Sequence, residues 1–200
     1  MKIPHLGNGS VGAPITRGGI SVFPVYLGES NLSPISTGPT AGLIIDEVPG
    51  GEVPHLVVTN PTDRAILIVE GEQLVGGLQN RSPNVSVLVP AGERLEIPVS
   101  CLEHGRWGRH DSFRRGATHT PRRVRRAKSH EVAKTMATSG VRSGNQGAVW
   151  NAVNQELRYM AVASGTDAIA DADVVFERDP DRYSAVEELA SMGPLPGQCG

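Results

Sequence analysis

The sequence predicts an α+β fold, with an antiparallel, β-sandwich-like N-terminal half followed by a helical C-terminal half packed on it. Three observations lead there. Short β-branched runs recur about every 8–12 residues through the first hundred positions, with turn residues between them. Past residue 120 the apolar spacing changes from runs to intervals of three and four. With 24 Gly and 15 Pro but only 2 Trp, 3 Tyr and 3 Phe in 200 residues, turns are plentiful and the core must be built from Val, Ile, Leu and Ala.

Residues 1–19 read as an N-terminal extension and 20–200 as one α+β domain: 20–104 mainly β, 105–121 a basic loop, 122–200 mainly α. The run ISVFPVYL (20–27) is apolar but interrupted by Pro24, which suits an edge strand or bulge. LIIDEV (43–48) and LVVTN (56–60) flank the turn PGGEVP. In NPTD (60–63), Pro61 sits at the second position of a type I turn. AILIVE (65–70) has four consecutive apolar residues, the mark of a strand covered on both faces. VEGEQLVGGLQNR (69–81) reads as a hairpin, its Gly76–Gly77 pair allowing a tight bend or a close approach by a ligand. VSVLVP (85–90) and RLEIPVSC (94–101) flank PAGE, where Gly92 is placed for a positive φ.

Thr120–Pro121 predicts a helix start, a capping hydroxyl followed by proline at the first helical position. That helix runs from Arg122 to Ser139 and stops at Gly140. A second starts near Asn145 or Gly147 and turns Trp150, Val153, Leu157 and Ala161 to the core. DAIADADVVFE and DRYSAVEELASM read as further helical pieces. The chain closes on GPLPGQCG, and a following strand is expected to be absent, either naturally or by truncation.

No stretch approaches the ~20 apolar residues of a bilayer span, and MKIPHLGNGSVGAP has no apolar core of a secretory signal. Cys101 and Cys199 are too few for a disulfide scaffold and read as free thiols. The expectation is a cytoplasmic protein with no membrane partner. The net charge of −2 hides an asymmetry: residues 106–130 hold nine Lys/Arg against Asp111 alone, a local +8, and the rest of the chain carries −10. Several arginines at the positive end of a helix dipole are unfavourable without an anion nearby. That anion could be nucleic acid, a phosphorylated small molecule or an acidic face of this same protein.

Two stretches carry candidate chemistry. In 69–81, Gln79, Asn80 and Arg81 offer two amides and a planar fork suited to carboxylate, phosphate or sugar hydroxyls. In PVSCLEHGRW (98–107), Cys101 shares a strand face with Glu103 and not with His104. A neighbouring carboxylate raises a thiol pKa, so Cys101 reads as a buried strand residue and not as a nucleophile. Glu103, His104, His110 and His119 are ligand types without metal-site spacing, so no metal is assigned, and no motif names a cofactor.

EGEQLVGGLQNR, SVLVPAGERLEIPVSCLEHGRW and SGNQGAVW together resemble a bacterial family, the ADP-ribosylglycohydrolase-and-rhodanese-phosphatase-superfamily-associated protein domain, from about residue 20 to the end. The family-like positions are Glu72, Gln79, Asn80, Arg81, Ser100, Cys101, Glu103, Gly105, Arg106, Trp107, Gln146 and Trp150. The resemblance implies binding or processing of an ADP-ribose-like or other phosphorylated nucleotide derivative. Arg81 and Arg106 would bind the anion, Gln79 and Asn80 orient hydroxyls or a base, and Trp107 stack. If there is chemistry, Glu72 or Glu103 would be the catalytic general base, its pKa raised by burial. The alternatives are a non-enzymatic interaction module and, third, nucleic-acid binding through 106–130. Strand pairing between 72–81 and 94–103 is expected to bring the two stretches together.

Overall fold

The computed structural model describes residues 2–3, 7–27, 35–106 and 111–192, in two compact units, 1–33 with 174–200 and 34–173. The first unit begins with β1 (Lys2–Ile3), β2 (Gly7–Val11), β3 (Ile15–Arg17), β4 (Ile20–Val22) and β5 (Val25–Leu27). β1, β2 and β5 form one antiparallel sheet, and β3 and β4 form a hairpin. Pro24 splits the 20–27 run into strands of different sheets, its carbonyl accepting from Gly12 N at 2.8 Å.

The second unit contains β6 (Ile35–Ser36), β7 (Ile44–Glu47), β8 (His55–Thr59), β9 (Ala65–Ile68), β10 (Glu72–Gly77), β11 (Arg81–Pro83), β12 (Val87–Val89), β13 (Arg94–Cys101) and β14 (Asp111–His119). These lead into α1 (Arg122–Ser139), α2 (Gln146–Tyr159) and a 3-10 turn, Ile169–Asp173. The first unit resumes with α3 (Val174–Glu177) and α4 (Pro180–Ser191), where Glu188 accepts from Arg17 Nε at 2.6 Å.

The second unit has the α+β architecture expected, helices following antiparallel sheets. Its larger sheet runs β14-β10-β11-β13-β8-β7. This sheet is nearly barrel-like: β14 and β7, at its two edges, approach each other, and Leu78 N donates to Glu47 Oε1 across the seam at 2.9 Å. A smaller sheet, β12-β9-β6, is antiparallel at β12–β9 and parallel at β6–β9. Ile45, Leu56, Val58, Ile68, Leu74, Val89, Ile97 and Val99 from both sheets form one core. Each such side chain, fully buried, contributes about 1.5–3 kcal/mol. Leu102, Val124, Val149, Val153, Leu157 and Ile169 form a second core that seats the helices.

Several expectations need correction. The 105–121 stretch is not a loop: Asp111–His119 is a strand, paired antiparallel to β10. Its charged residues hide the period because Arg115 is buried against a carboxylate. β9 is fully covered on one face only, Ile66 and Ile68 being inaccessible and Ala65 and Leu67 half-buried. α1 ends at Gly140 with a φ of 73°, as its sequence predicts, but Pro121 and not Thr120 is the N-cap and no side chain caps it. Ala161 lies beyond α2 and is exposed; Val149, Ala152, Val153, Glu156 and Leu157 make its buried face. The 60–63 turn is fastened by Asn60, whose Oδ1 accepts from Thr62 N at 3.0 Å.

Candidate functional site

The predicted pairing is present only at the end of the first stretch: β10 pairs with β11 and β14, while residues 80–81 meet 101–102. β11 and β13 run antiparallel with Arg81 opposite Cys101 and Ser82 opposite Ser100, and Leu102 N donates to Asn80 O at 2.8 Å. Strand alternation then sorts the polar residues by face.

One group is a knot around Glu103. Its carboxylate accepts from Arg106 Nε at 3.0 Å, Arg106 Nη2 at 2.8 Å, Thr166 Oγ1 at 2.7 Å and Asn80 N at 3.1 Å. Arg106 also donates to Gly77 O at 2.7 Å, Gly76 O at 3.2 Å and Asn80 Oδ1 at 3.2 Å. Asn80 Oδ1 in turn accepts from Gly76 N at 3.0 Å. This overturns the expectation of a raised pKa. Burial pushes the Glu103 carboxyl up, but the hydrogen bonds from Arg106, Thr166 and Asn80 outweigh it and hold the group below its ordinary 4.5.

Glu72 belongs elsewhere. It begins β10, at the opposite end of that strand from Gly76 and Gly77. It accepts from Arg115 Nε at 2.7 Å and Nη2 at 2.6 Å, a buried bidentate pair, and from Val69 N at 2.7 Å. The structure therefore joins Glu103, Arg106, Asn80 and Gln79, and leaves Glu72 out. Gln79 Nε2 reaches His104 O at 3.5 Å.

Arg81 touches the Glu103 group only through Gln79 and does not meet Glu72. It pairs with Leu74 on one side and Cys101 on the other, so its side chain enters the barrel interior, where it has no exposed surface. Nη1 donates to Gln79 Oε1 at 3.1 Å. Nε and Nη2, the edge that grips oxyanions side-on, have no partner among the described residues. Neither does Glu47 Oε2 at the nearby seam. Burial pushes the Cys101 thiol up, Arg81 pulls it down, and Glu47 and Glu103 push it up again, leaving it at about 11. Cys101 is thus a protonated interior thiol at neutral pH, in keeping with its reading as a buried strand residue.

Other family-like positions tie elements together. Gln146, at the start of α2, accepts from Cys101 N at 2.9 Å and donates to Cys101 O at 2.8 Å. Ser100 Oγ donates to Asn84 Oδ1 at 2.7 Å. Trp150 packs against His104 with ring centroids 4.3 Å apart. Trp107 and His110 lie outside the described residues. Among the described residues there is no group of three or more His, Cys, Asp or Glu placed to hold a metal, and no helix is long and apolar enough to cross a membrane.

The basic run finds much of its anion in this same chain. Glu70 pairs with Arg125 at 3.2 Å and with Lys128 at 2.7 Å, and Glu156 pairs with Arg123 at 3.3 Å. Lys128 has no exposed surface, and its Nζ also donates to Pro83 O. Glu47, Glu70, Arg115, Glu156 and Thr166 are site residues that sequence reasoning missed. Glu70 stood beside Glu72 in the dense 69–81 stretch, but nothing local distinguishes the other four.

No characterised protein and no solved structure matches the chain. A family model does, over residues 8–200, and its description is the ARG and Rhodanese-Phosphatase-superfamily-associated Protein domain. That match takes in all but the first seven residues, and the chain belongs to this family.

Proposed function

We propose that this domain binds a phosphorylated nucleotide derivative of the ADP-ribose kind, with the buried edge of Arg81 gripping a phosphate oxygen pair. The observation that carries this is the state of Arg81: a guanidinium with no exposed surface and two donors, Nε and Nη2, unpartnered among the described residues. A buried charge is costly unless paired, and a bidentate oxyanion is the partner that edge fits. The family name supplies the nucleotide, through its ADP-ribosylglycohydrolase association. Gln79 orients Arg81, while Asn80 and Arg106 hold the loop that carries them. Because Arg81 is inaccessible, a ligand reaches it only when the barrel opens. The reading is of a receptor. Glu103, held ionised by Arg106, makes a weak base and no proton transfer is assigned to it or to Glu72.

The test is isothermal titration against ADP-ribose, NAD and nucleoside monophosphates, with Arg81→Met alongside. Binding that Arg81→Met abolishes, while its thermal midpoint holds or rises, supports the reading. Replacing buried ionic groups by apolar side chains of similar volume is often neutral or stabilising, by up to roughly 1–4 kcal/mol. Silence across the panel overturns it.

A second reading, a non-enzymatic interaction module, is favoured by a different observation: Glu72, Asn80, Glu103 and Arg106 are all spent on internal bonds. It predicts that Arg81→Met lowers the midpoint, as when a tie point is lost.

A further inference from the structure

Apart from Trp107 and Phe113 the basic run lacks interleaved aromatic residues in sequence, but the fold supplies another. The Arg123 guanidinium lies 4.7 Å from the centroid of the Tyr159 ring, with Arg123 on α1 and Tyr159 at the end of α2. Glu156, three residues before Tyr159 and so on the same side of α2, holds Arg123 in place at 3.3 Å. Tyr159 is 74% exposed, so its ring is presented to solvent with a cation stacked on it. Beside it runs an open cleft lined by Arg123, Arg126, Ala127, Ser129 and His130. Arg122, Arg126 and His130 are exposed at four-residue intervals, hence in one row along α1. Arg125 and Lys128 face the other way, to Glu70, and are not part of it.

We propose that this face binds single-stranded nucleic acid, an unstacked base lying on the Tyr159 ring and the flanking phosphates on Arg122 and Arg126. The combination of a cationic cleft and an exposed aromatic ring is what single strands use. A duplex keeps its base faces stacked and offers the ring nothing, and an acidic peptide has charge but no π-face to lay on it. The proposal does not depend on Arg81, which lies in the barrel interior.

Fluorescence anisotropy decides it, using a labelled mixed-sequence 12-nucleotide single strand, the same sequence as a duplex, and polyglutamate. The single strand binds tightest, and its affinity falls with salt by about 0.7 in log–log slope for each phosphate neutralised. Changing Arg122 and Arg126 together to Ala reduces that slope by about 1.4. Tyr159→Ala weakens binding roughly five-fold or more at unchanged slope, Tyr159→Trp preserves it, and neither moves the thermal midpoint. Equal binding of duplex or polyglutamate, no binding of any of the three, or indifference to Tyr159→Ala overturns the proposal.

Discussion

Arg81 and Cys101 are directly paired across β11 and β13, with both side chains on the interior face of the curled sheet. A guanidinium next to a thiol ordinarily makes a thiolate. Here desolvation outweighs it and the thiol stays protonated to about 11. The pair therefore serves packing and charge placement, not nucleophilic attack.

The Cys101 thiol sets an alkaline limit on stability. Its folded pKa of about 11 exceeds the ordinary 9.0, so below pH 9 both states hold the proton and the group contributes no pH dependence. Between pH 9 and 11 the unfolded chain loses its proton first, and stability falls by on the order of 2 kcal/mol. Urea unfolding at pH 8 to 11 in a Cys199→Ser background will show this slope, and Cys101→Ala will remove it.

Acid acts through Glu103. Its folded pKa lies below 4.5, so its contribution is complete above pH 4.5 and is lost as pH falls through the folded value. Glu103→Gln removes the charge facing Arg106, which keeps its bonds to Gly76, Gly77 and Asn80, and should cost about 1.5–3 kcal/mol at pH 7. It should also flatten the acid limb of the stability curve followed by circular dichroism. Thr166→Val, which removes a single hydrogen bond to the same carboxylate, should cost about 1 kcal/mol.

Glu72 and Arg115 are strongly coupled, being a buried bidentate pair. Glu72→Gln and Arg115→Met should each cost about 3–5 kcal/mol, and the double variant much less than their sum. A chemical-denaturation double-mutant cycle measures the coupling. Additive costs would mean that the two side chains do not stabilise each other.

Gly76 cannot bear a side chain. Its φ is 128°, and a Cβ there would stand 2.6 Å from Ser112 O and 3.0 Å from Phe113 Cα, both backbone atoms of β14. Gly76→Ala should cost more than about 2 kcal/mol, adding a clash to backbone strain. Gly92, with a φ of 73° and nothing within 4 Å, isolates the strain alone, and Gly92→Ala should cost about 1 kcal/mol. Thermal unfolding of the two variants side by side gives the difference.

The boundaries of β13 and α1 were legible because local rules set them: apolar alternation from Arg94 to Cys101, and Gly140 as a left-handed stop. β14 was not, because DSFRRGATH looks like a basic loop until Glu72 stands ready to receive Arg115. The arginines at the start of α1 looked unsatisfied until Glu70 and Glu156 came from distant parts of the chain.

By itself, then, the sequence determined most of the strands from 43 to 101 and the two long helices, that the ends of the two polar stretches would meet, and which family they mark. The tertiary structure decided which carboxylate meets which guanidinium: Glu72 with Arg115 across 43 positions, Glu70 with Arg125 across 55, Glu103 with Arg106 across 3, and Arg81 with two donors unpartnered among the described residues. The reason is physical. Strand and helix periods are written in neighbouring residues, whereas a buried ion pair needs contact within about 3 Å, and only the packed chain says which charges arrive together.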